Sequence, residues 1–494
     1  MKLLFTIILL SIFLTTFAFG QNTITLIPSK TYQTWRGWGT YLYACSDPGD
    51  CPLAWPDRNI PLWAETAYDT AVNDLGITML FLSMFSNCQH TENYWAEALA
   101  ICDTKGWSNK ACWDAYQNKS GVWRINGRLG SIVRNSSTFH WDCPDWQMNT
   151  VGIPLSRRII ASGQKAWLSA RIEDRGYGIS GVPSRYGFCD HPADYGRFWL
   201  NFFNHMKDTY GFVPDFIDIV NEPDTAKGPA GFCWRSGSTI GKIIKTVGDT
   251  LARNSYNPKF FAPSCVSTRN AVTYFNDLWS VTGARPYIDS ISYHKYSGNT
   301  SCTAYDCSGS GCKDIAAIGN IVNRFGIHSS MNEMIKSSYA TLHTDIKCGN
   351  VSTWDGMYAL VGPSTGNGGS WMIVTDDSNH TLTLSDGAKL IRQYSKFIRP
   401  GAVRIVASGN STFDPVAFIN PGGGYVVVVK VTSPGGTFLI EGLPAGKYGI
   451  KYAILGGSYD QDLADQAVAE GQNLTTNMTQ TGVITIYRKP PQIK

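Results

Sequence analysis

DFIDIVNEPD, residues 215–224, decides how the chain is read. A short apolar run ends abruptly in Asn221, Glu222, Pro223 and Asp224. Asn, Pro and Asp are turn residues, so a plain surface turn is one account of the segment. The other is a buried strand that delivers a carboxyl group to the rim of a barrel, with proline fixing the exit. The rest of the chain separates the two.

Similar short apolar runs recur on both sides. TMLFLSMF (78–85), KAWLSARI (165–172), KFFAPS (259–264), SISYHKY (290–296), HSSMNEM (328–334) and SWMIV (370–374) each read as a buried strand. Amphipathic stretches lie between several of them: 64–76 before the first, 194–211 before DFIDIV and 239–254 before KFFAPS. Alternating units of this kind give a parallel sheet covered on both faces. With GWGTYLY (37–43) as the first strand there are eight runs, which predicts an α/β fold, a closed (β/α)8 TIM barrel. No glycine-rich GxGxxG turn follows a strand, which argues against dinucleotide binding.

The texture changes near Gly401. Residues 423–457 and 482–489 alternate β-branched or aromatic residues with Gly and Pro turns, as an all-β module does. NTITLIPSKTYQ (22–33) has the same character and no partner nearby, so it is expected to join that module. The expected organisation is a leader over 1–20, an N-terminal strand of the β-sandwich over 21–34, the catalytic barrel over 35–401 and the sandwich over 402–494.

The chain has 494 residues, with 43% hydrophobic, 16% charged and 13% aromatic residues, which is a globular composition. A net charge of +4 gives no ground for nucleic acid or an anionic membrane as partner. Residues 1–22 carry one lysine, an apolar run and then Ala18-Phe19-Gly20, the pattern of a cleaved signal peptide. The mature protein is therefore expected to be secreted and free of the membrane. The 13 cysteines fit disulfides of an exported chain better than zinc, and their odd number leaves at least one unpaired or paired between chains. Eight sequons, at Asn118, Asn135, Asn299, Asn350, Asn379, Asn410, Asn473 and Asn477, suggest surface N-glycosylation.

In a barrel, reactive residues sit at the C-terminal ends of the strands. That position collects Arg171, Asn221, Glu222, Tyr293, His294, Tyr296, Glu333 and Trp371. Glu222 and Glu333 form the pair that glycoside hydrolysis needs: one protonates the leaving oxygen, the other attacks the anomeric carbon or activates water. Aromatic residues at the same rim can stack on sugar rings, and Trp371 is placed to floor such a site. Alternation puts His294 and Tyr296 on one face and Lys295 on the other. His294 lacks an obvious set of fellow metal ligands, so neither a metal nor an organic cofactor is expected.

At these residues the sequence resembles the clan A glycoside hydrolases, and specifically glycoside hydrolase family 30. NEPD (221–224) is similar to the clan's strand-four motif, SMNEM (330–334) to the end of strand seven, and YSKFIRPGAVRI (394–405) to the junction with the side β domain. GWGT (37–40), which includes Trp38, is similar to endo-β-1,6-galactanase-like members, where many relatives have a GFGG-like turn. The resemblance implies a barrel fused to a sandwich built from both chain ends. It implies retaining double displacement, with Glu222 as acid/base, Glu333 as nucleophile and Asn221 on the sugar 2-hydroxyl. A strand-six aromatic or histidine would orient the nucleophile, and Tyr293, His294 and Tyr296 are the candidates. Trp38, Arg171 and Trp371 complete the expected substrate-binding set. The implied partner is a polysaccharide: β-1,6-galactan, β-1,6-glucan or xylan, with endo action expected over exo. The competing reading is a non-catalytic carbohydrate-binding or wall-associated protein on the same fold, which has no need of both glutamates.

Overall fold

The computed structural model describes residues 22–42, 64–85, 104, 141–173, 192–225, 236–298, 302, 305–334, 338–355, 359–363, 371–376, 381–432 and 434–490. The proposed leader, the cysteines at 45, 51, 88, 102, 112, 189 and 233, and the sequons at 118, 135, 299 and 379 lie outside these residues.

Strand β1 (Asn22–Thr34) is the first described element and β2 (Gly37–Tyr41) begins the barrel. The ring continues with β3 (Met79–Phe85), β4 (Trp167–Glu173), β5 (Phe216–Asp218), β6 (Lys259–Ser267), β7 (Ile288–Ser297), β8 (His328–Glu333) and β9 (Thr353–Trp354). Every neighbouring pair is parallel, and β9 closes on β2 through Gly37–Thr353 and Trp38–Trp354. Among the described residues each strand is followed by a helix that packs on the barrel: α1 (Ala64–Asp69), α2 (Ile153–Ala161, preceded by a short helix over Asp142–Gln147), α3 (Pro192–Tyr210), α4 (Gly237–Ala252), α5 (Thr268–Trp279), α6 (Lys313–Phe325), α7 (Tyr339–Gly349) and, after the last, α8 (Asp386–Ser395).

One strand assignment is corrected. SWMIV is not the eighth barrel strand. It forms β11 (Trp371–Asp376), which with β10 (Ala359–Pro363) and β12 (Thr381–Leu384) extends the sheet outward from β2. The eighth place belongs to Thr353 and Trp354, two residues too short to show a periodicity in the sequence.

Local chemistry explains the helix ends. The hydroxyls of Ser236, Ser338 and Ser385 accept hydrogen bonds from the backbone N–H three residues on, starting α4, α7 and α8. Gly326 ends α6 in the left-handed conformation that a side chain would strain. The apolar faces of these helices pack on the outside of the barrel and form one continuous core. Inside the barrel a small separate core of Tyr41, Met79, Phe81, Phe216 and Phe261 fills the lower half, with Phe216 and Phe261 stacked at 4.6 Å.

Both chain ends build the second, nearly closed β sheet. β13 (Val403–Ser408), β14 (Phe413–Ile419), β15 (Tyr425–Val431), β16 (Gly436–Glu441), β17 (Gly446–Ile454), β18 (Gln461–Val468), β19 (Leu474–Met478) and β20 (Gly482–Arg488) join β1, which lies between β13 and β16. The β1 side chains alternate between burial and solvent, and Ile24 and Leu26 enter the sandwich core. Buried charge ties this unit to the barrel. Asp414 of β14 takes Lys347 and His343 of α7, the latter at 3.3 Å, and Lys430 of β15 at 3.0 Å.

Disulfides join Cys302 to Cys312 and Cys307 to Cys348, and Cys265 is a buried free thiol. One sequon departs from the surface expectation. Asn350 is 5% exposed and ends α7 in the left-handed conformation, accepting from Arg404 at 2.6 Å and donating to Asn323 at 3.1 Å. Asn473 and Asn477 are exposed. No helix among the described residues is long and apolar enough to cross a membrane.

Candidate active site

The NEPD segment is welded to the neighbouring strand. The Glu222 N–H donates to the Ser264 carbonyl at 3.0 Å. The Asp224 carboxylate accepts from the backbone N–H groups of Val266 and Ser267 at 2.8 and 3.1 Å and from Asn270 Nδ2 at 2.9 Å. Glu222 sits at φ 48° and Ser264 at φ 50°, left-handed conformations that cost free energy for residues other than glycine. The bonds around Asp224 and Ser264 hold that backbone in place. A solvated surface turn requires none of this.

Glu333 ends β8 on the same rim. Its Oε2 accepts from Arg171 Nη2 at 2.7 Å and its Oε1 from the Tyr296 hydroxyl at 2.9 Å. His294 stands between the two glutamates, with Nδ1 3.0 Å from Glu222 Oε1 and Nε2 4.0 Å from Glu333 Oε2. Glu222, His294 and Glu333 each offer an atom within 4.8 Å of the others, so the closest carboxylate oxygens share one small space. Both glutamates are nearly enclosed, at 9% and 8% exposure.

The electrostatics follow from this packing. Burial favours a neutral Glu333, but His294 and Arg171, with bonds from Arg171 and Tyr296, outweigh it and hold its pKa below the ordinary value. For His294 burial disfavours the cation, yet the charges of Glu333 and Glu222 prevail and raise its pKa. Glu333 is therefore an ionised carboxylate at neutral pH, with the Arg171 guanidinium against it. Three donor atoms this close could in principle ligate a metal. The Arg171 guanidinium already supplies the positive charge at Glu333 Oε2, so the donor set does not fit a resident cation.

Beneath the glutamates lies a polar layer that the sequence reading missed. Asp218 accepts from Ser264 Oγ at 2.6 Å and Asn332 Nδ2 at 2.9 Å, Ser264 meets Ser292 Oγ at 2.8 Å, and Ser330 donates to Asn332. Arg171 lies 3.8 Å from Asp218 and stacks over the Tyr41 ring at 4.8 Å. Asp355, one residue past β9, is fully buried at the same rim. The available signal was alternation. Phe216 faces the barrel interior, so Asp218 does too, and Ser290, Ser292 and His294 repeat the pattern.

The structure brings Arg171, Asn221, Glu222, His294, Tyr296 and Glu333 to one rim. It does not bring Tyr293 or Trp38 there. Tyr293 points outward under α7, near Gly349 and Asp345. Lys295 also faces that layer and pairs with Asp345 at 2.8 Å. Trp38 faces outward as well: its Nε1 donates to the Ile398 carbonyl at 2.7 Å and its ring contacts Trp35 and Trp354. Trp371 opens β11, opposite Ala359 and outside the ring, and its side chain lies outside the described residues.

No protein-family model and no curated protein sequence matches the chain. Solved structures do. The catalytic domain of a GH30 xylanase C from Talaromyces cellulolyticus superposes with a TM-score of 0.64 at 18% identity, covering 95% of this chain and 100% of that one. An endo-β-1,6-glucanase follows with a TM-score of 0.61 at 15% identity, covering 96% of both chains. A GH30 endoxylanase from Clostridium papyrosolvens C71 gives 0.57 at 16% identity, covering 95% and 100%. The chain thus has the fold of glycoside hydrolase family 30 catalytic domains, barrel and fused β domain together.

Proposed function

We propose that the protein is a secreted, retaining glycoside hydrolase that cleaves internal β-linkages of a polysaccharide. The carrying observation is the pair Glu222 and Glu333, whose closest oxygens lie within 4.8 Å of each other. Carboxyl groups roughly 5–5.5 Å apart serve retention, whereas inversion needs roughly 6.5–9.5 Å to admit a water.

Each role follows from its surroundings. Glu333, kept ionised by Arg171 and His294, attacks the anomeric carbon. Glu222 donates its proton to the leaving oxygen, and the glycosidic C–O bond breaks as the Glu333 ester forms. Esterification removes the Glu333 charge. Glu222, now ionised, takes a proton from water, the resulting hydroxyl bonds to the anomeric carbon, and Glu333 leaves as carboxylate. Tyr296 and Arg171 fix the nucleophile, His294 links the two glutamates, and Asn221 contacts the 2-hydroxyl.

Xylan and β-1,6-glucan are candidate substrates, since enzymes named for them share the fold, and β-1,6-galactan joins them through the GWGT similarity. Arg36, just before GWGT, pairs with Asp289 at 2.6 Å near the start of β7, below the rim. The two disulfides support passage through an oxidising compartment. A non-catalytic glycan-binding protein would have no use for a nucleophile poised in this way.

The test is hydrolysis of a β-glycan panel by wild type, Glu222→Gln and Glu333→Gln. Cleavage of one glycan by wild type, and loss of several orders of magnitude in both variants, is expected. Full activity in either variant rejects that residue's role. Binding without cleavage by wild type favours the glycan-binding protein.

A further inference from the structure

Asp355 follows β9, the strand between the nucleophile's strand and β2. Its N–H donates to the Met331 carbonyl at 2.8 Å. Trp354 turns outward, with Nε1 3.0 Å from Asp345 of α7, so alternation turns Asp355 inward. Gly39 makes room for it: a Cβ on Gly39 would lie 2.9 Å from Asp355 Cβ and 2.7 Å from the Phe81 ring.

The other carboxyl groups described in this mouth have donors. Asp218 has Ser264 and Asn332, Glu222 has His294, and Glu333 has Arg171 and Tyr296. Asp355 is 0% exposed, and neither of its oxygens has a hydrogen-bond partner among the described residues. Burying a carboxyl group unsatisfied destabilises a fold, so one that persists calls for a partner from outside the protein, whether water or a ligand. Burial, then the nearby charge of Glu333, push its pKa well above the ordinary value despite Arg171. In its neutral form such a carboxyl group presents one O–H donor and one acceptor oxygen. A sugar hydroxyl, itself donor and acceptor, satisfies both at once. A cation does not suit a neutral acid beside Arg171.

We propose that Asp355 is a substrate-binding residue, exchanging hydrogen bonds with a hydroxyl of the neutral sugar unit that Glu333 attacks. This rests on the glycoside hydrolase reading above. Asp355 lies deeper than the two glutamates, at 0% exposure against 9% and 8%, so the sugar hydroxyl reaches it only as neighbouring groups shift on binding.

The experiment measures kcat, KM and Tm for wild type, Asp355→Asn and Asp355→Leu on the glycan that wild type cleaves best. Asn keeps a donor and an acceptor in the same shape, so kcat/KM stays within about fivefold of wild type. Leu removes both, and kcat/KM falls by about 100-fold while Tm holds or rises, because an unsatisfied buried group has gone. Two results overturn the proposal: Asp355→Leu within about threefold of wild type, or Asp355→Leu losing both Tm and activity, which marks a structural residue. A wild type inert on every glycan removes the hydrolase reading and this one with it. An active wild type beside an unimpaired Asp355→Leu removes this one alone.

Discussion

Replacing Arg171 by Met tests how the candidate nucleophile is kept charged. Arg171 is 1% exposed, donates to Glu333 at 2.7 Å and lies 3.8 Å from Asp218. Met retains much of the side-chain length over Tyr41 but removes the charge and the donors. Leaving a buried carboxylate without its partner costs about 3–5 kcal/mol, a large share of a typical folding free energy. The Glu333 pKa must also rise, since its downward shift rests on His294 and Arg171 together. If half of the lost interaction appears in the ionisation, the acid limb of kcat/KM moves up by about 1–2 pH units, at about 1.4 kcal/mol per unit. Poorer orientation of the carboxylate lowers kcat/KM at neutral pH by about 100-fold. The assay is the pH profile of kcat/KM for wild type, Arg171→Met and Arg171→Lys, well below the Tm of the weakest variant. Lys keeps the charge without the planar fork and should fall between the others. An acid limb in Arg171→Met that coincides with wild type refutes the assignment of that limb to Glu333.

Further outcomes follow from other buried groups. His343 has its pKa lowered to about 4, by burial first, with Lys430 and Lys347 adding to it against Asp414. A folded value below the unfolded one of about 6.5 means stability is full above pH 6.5 and lost as pH falls toward 4, on the order of 3 kcal/mol in all. Urea midpoints between those pH values should show a shallower slope in His343→Gln, and an unchanged slope contradicts the reasoning. Mass spectrometry of protein from a glycosylating host should find Asn350 bare, because its amide is bonded inside the fold; a glycan there refutes the placement. The Cys265 thiol, buried and with its pKa raised well above the ordinary value, should resist a thiol reagent until denaturant is added.

The sequence made some features plain and hid others for physical reasons. Glu222 and Glu333 stand out because each ends an otherwise apolar or small-residue run, and the strand-helix rhythm of the barrel is long enough to read. Thr353–Trp354 is too short to display any period, so the longer SWMIV took its place. GWGTY is buried on both faces, as barrel strands are, so apolarity does not tell inside from outside. For that reason Trp38 passed for a rim residue, while Tyr41, the one that stacks under Arg171, went unnoticed. Tyr293 and His294 are adjacent, and only the phase of the alternation, fixed once Ser290 and Ser292 are known to face inward, puts His294 in the site and Tyr293 outside it. Asp355 has no local signal at all. It becomes conspicuous only when its neighbours' hydrogen bonds are known and its own are missing.

The most direct measurement is the anomeric configuration of the first product. Proton NMR would follow cleavage of the preferred glycan before mutarotation equilibrates the new reducing end. With the Glu222 and Glu333 oxygens within 4.8 Å, the β-anomer should appear first. An initial α-anomer would mean inversion by a water placed between the carboxyl groups, and would contradict a covalent role for Glu333.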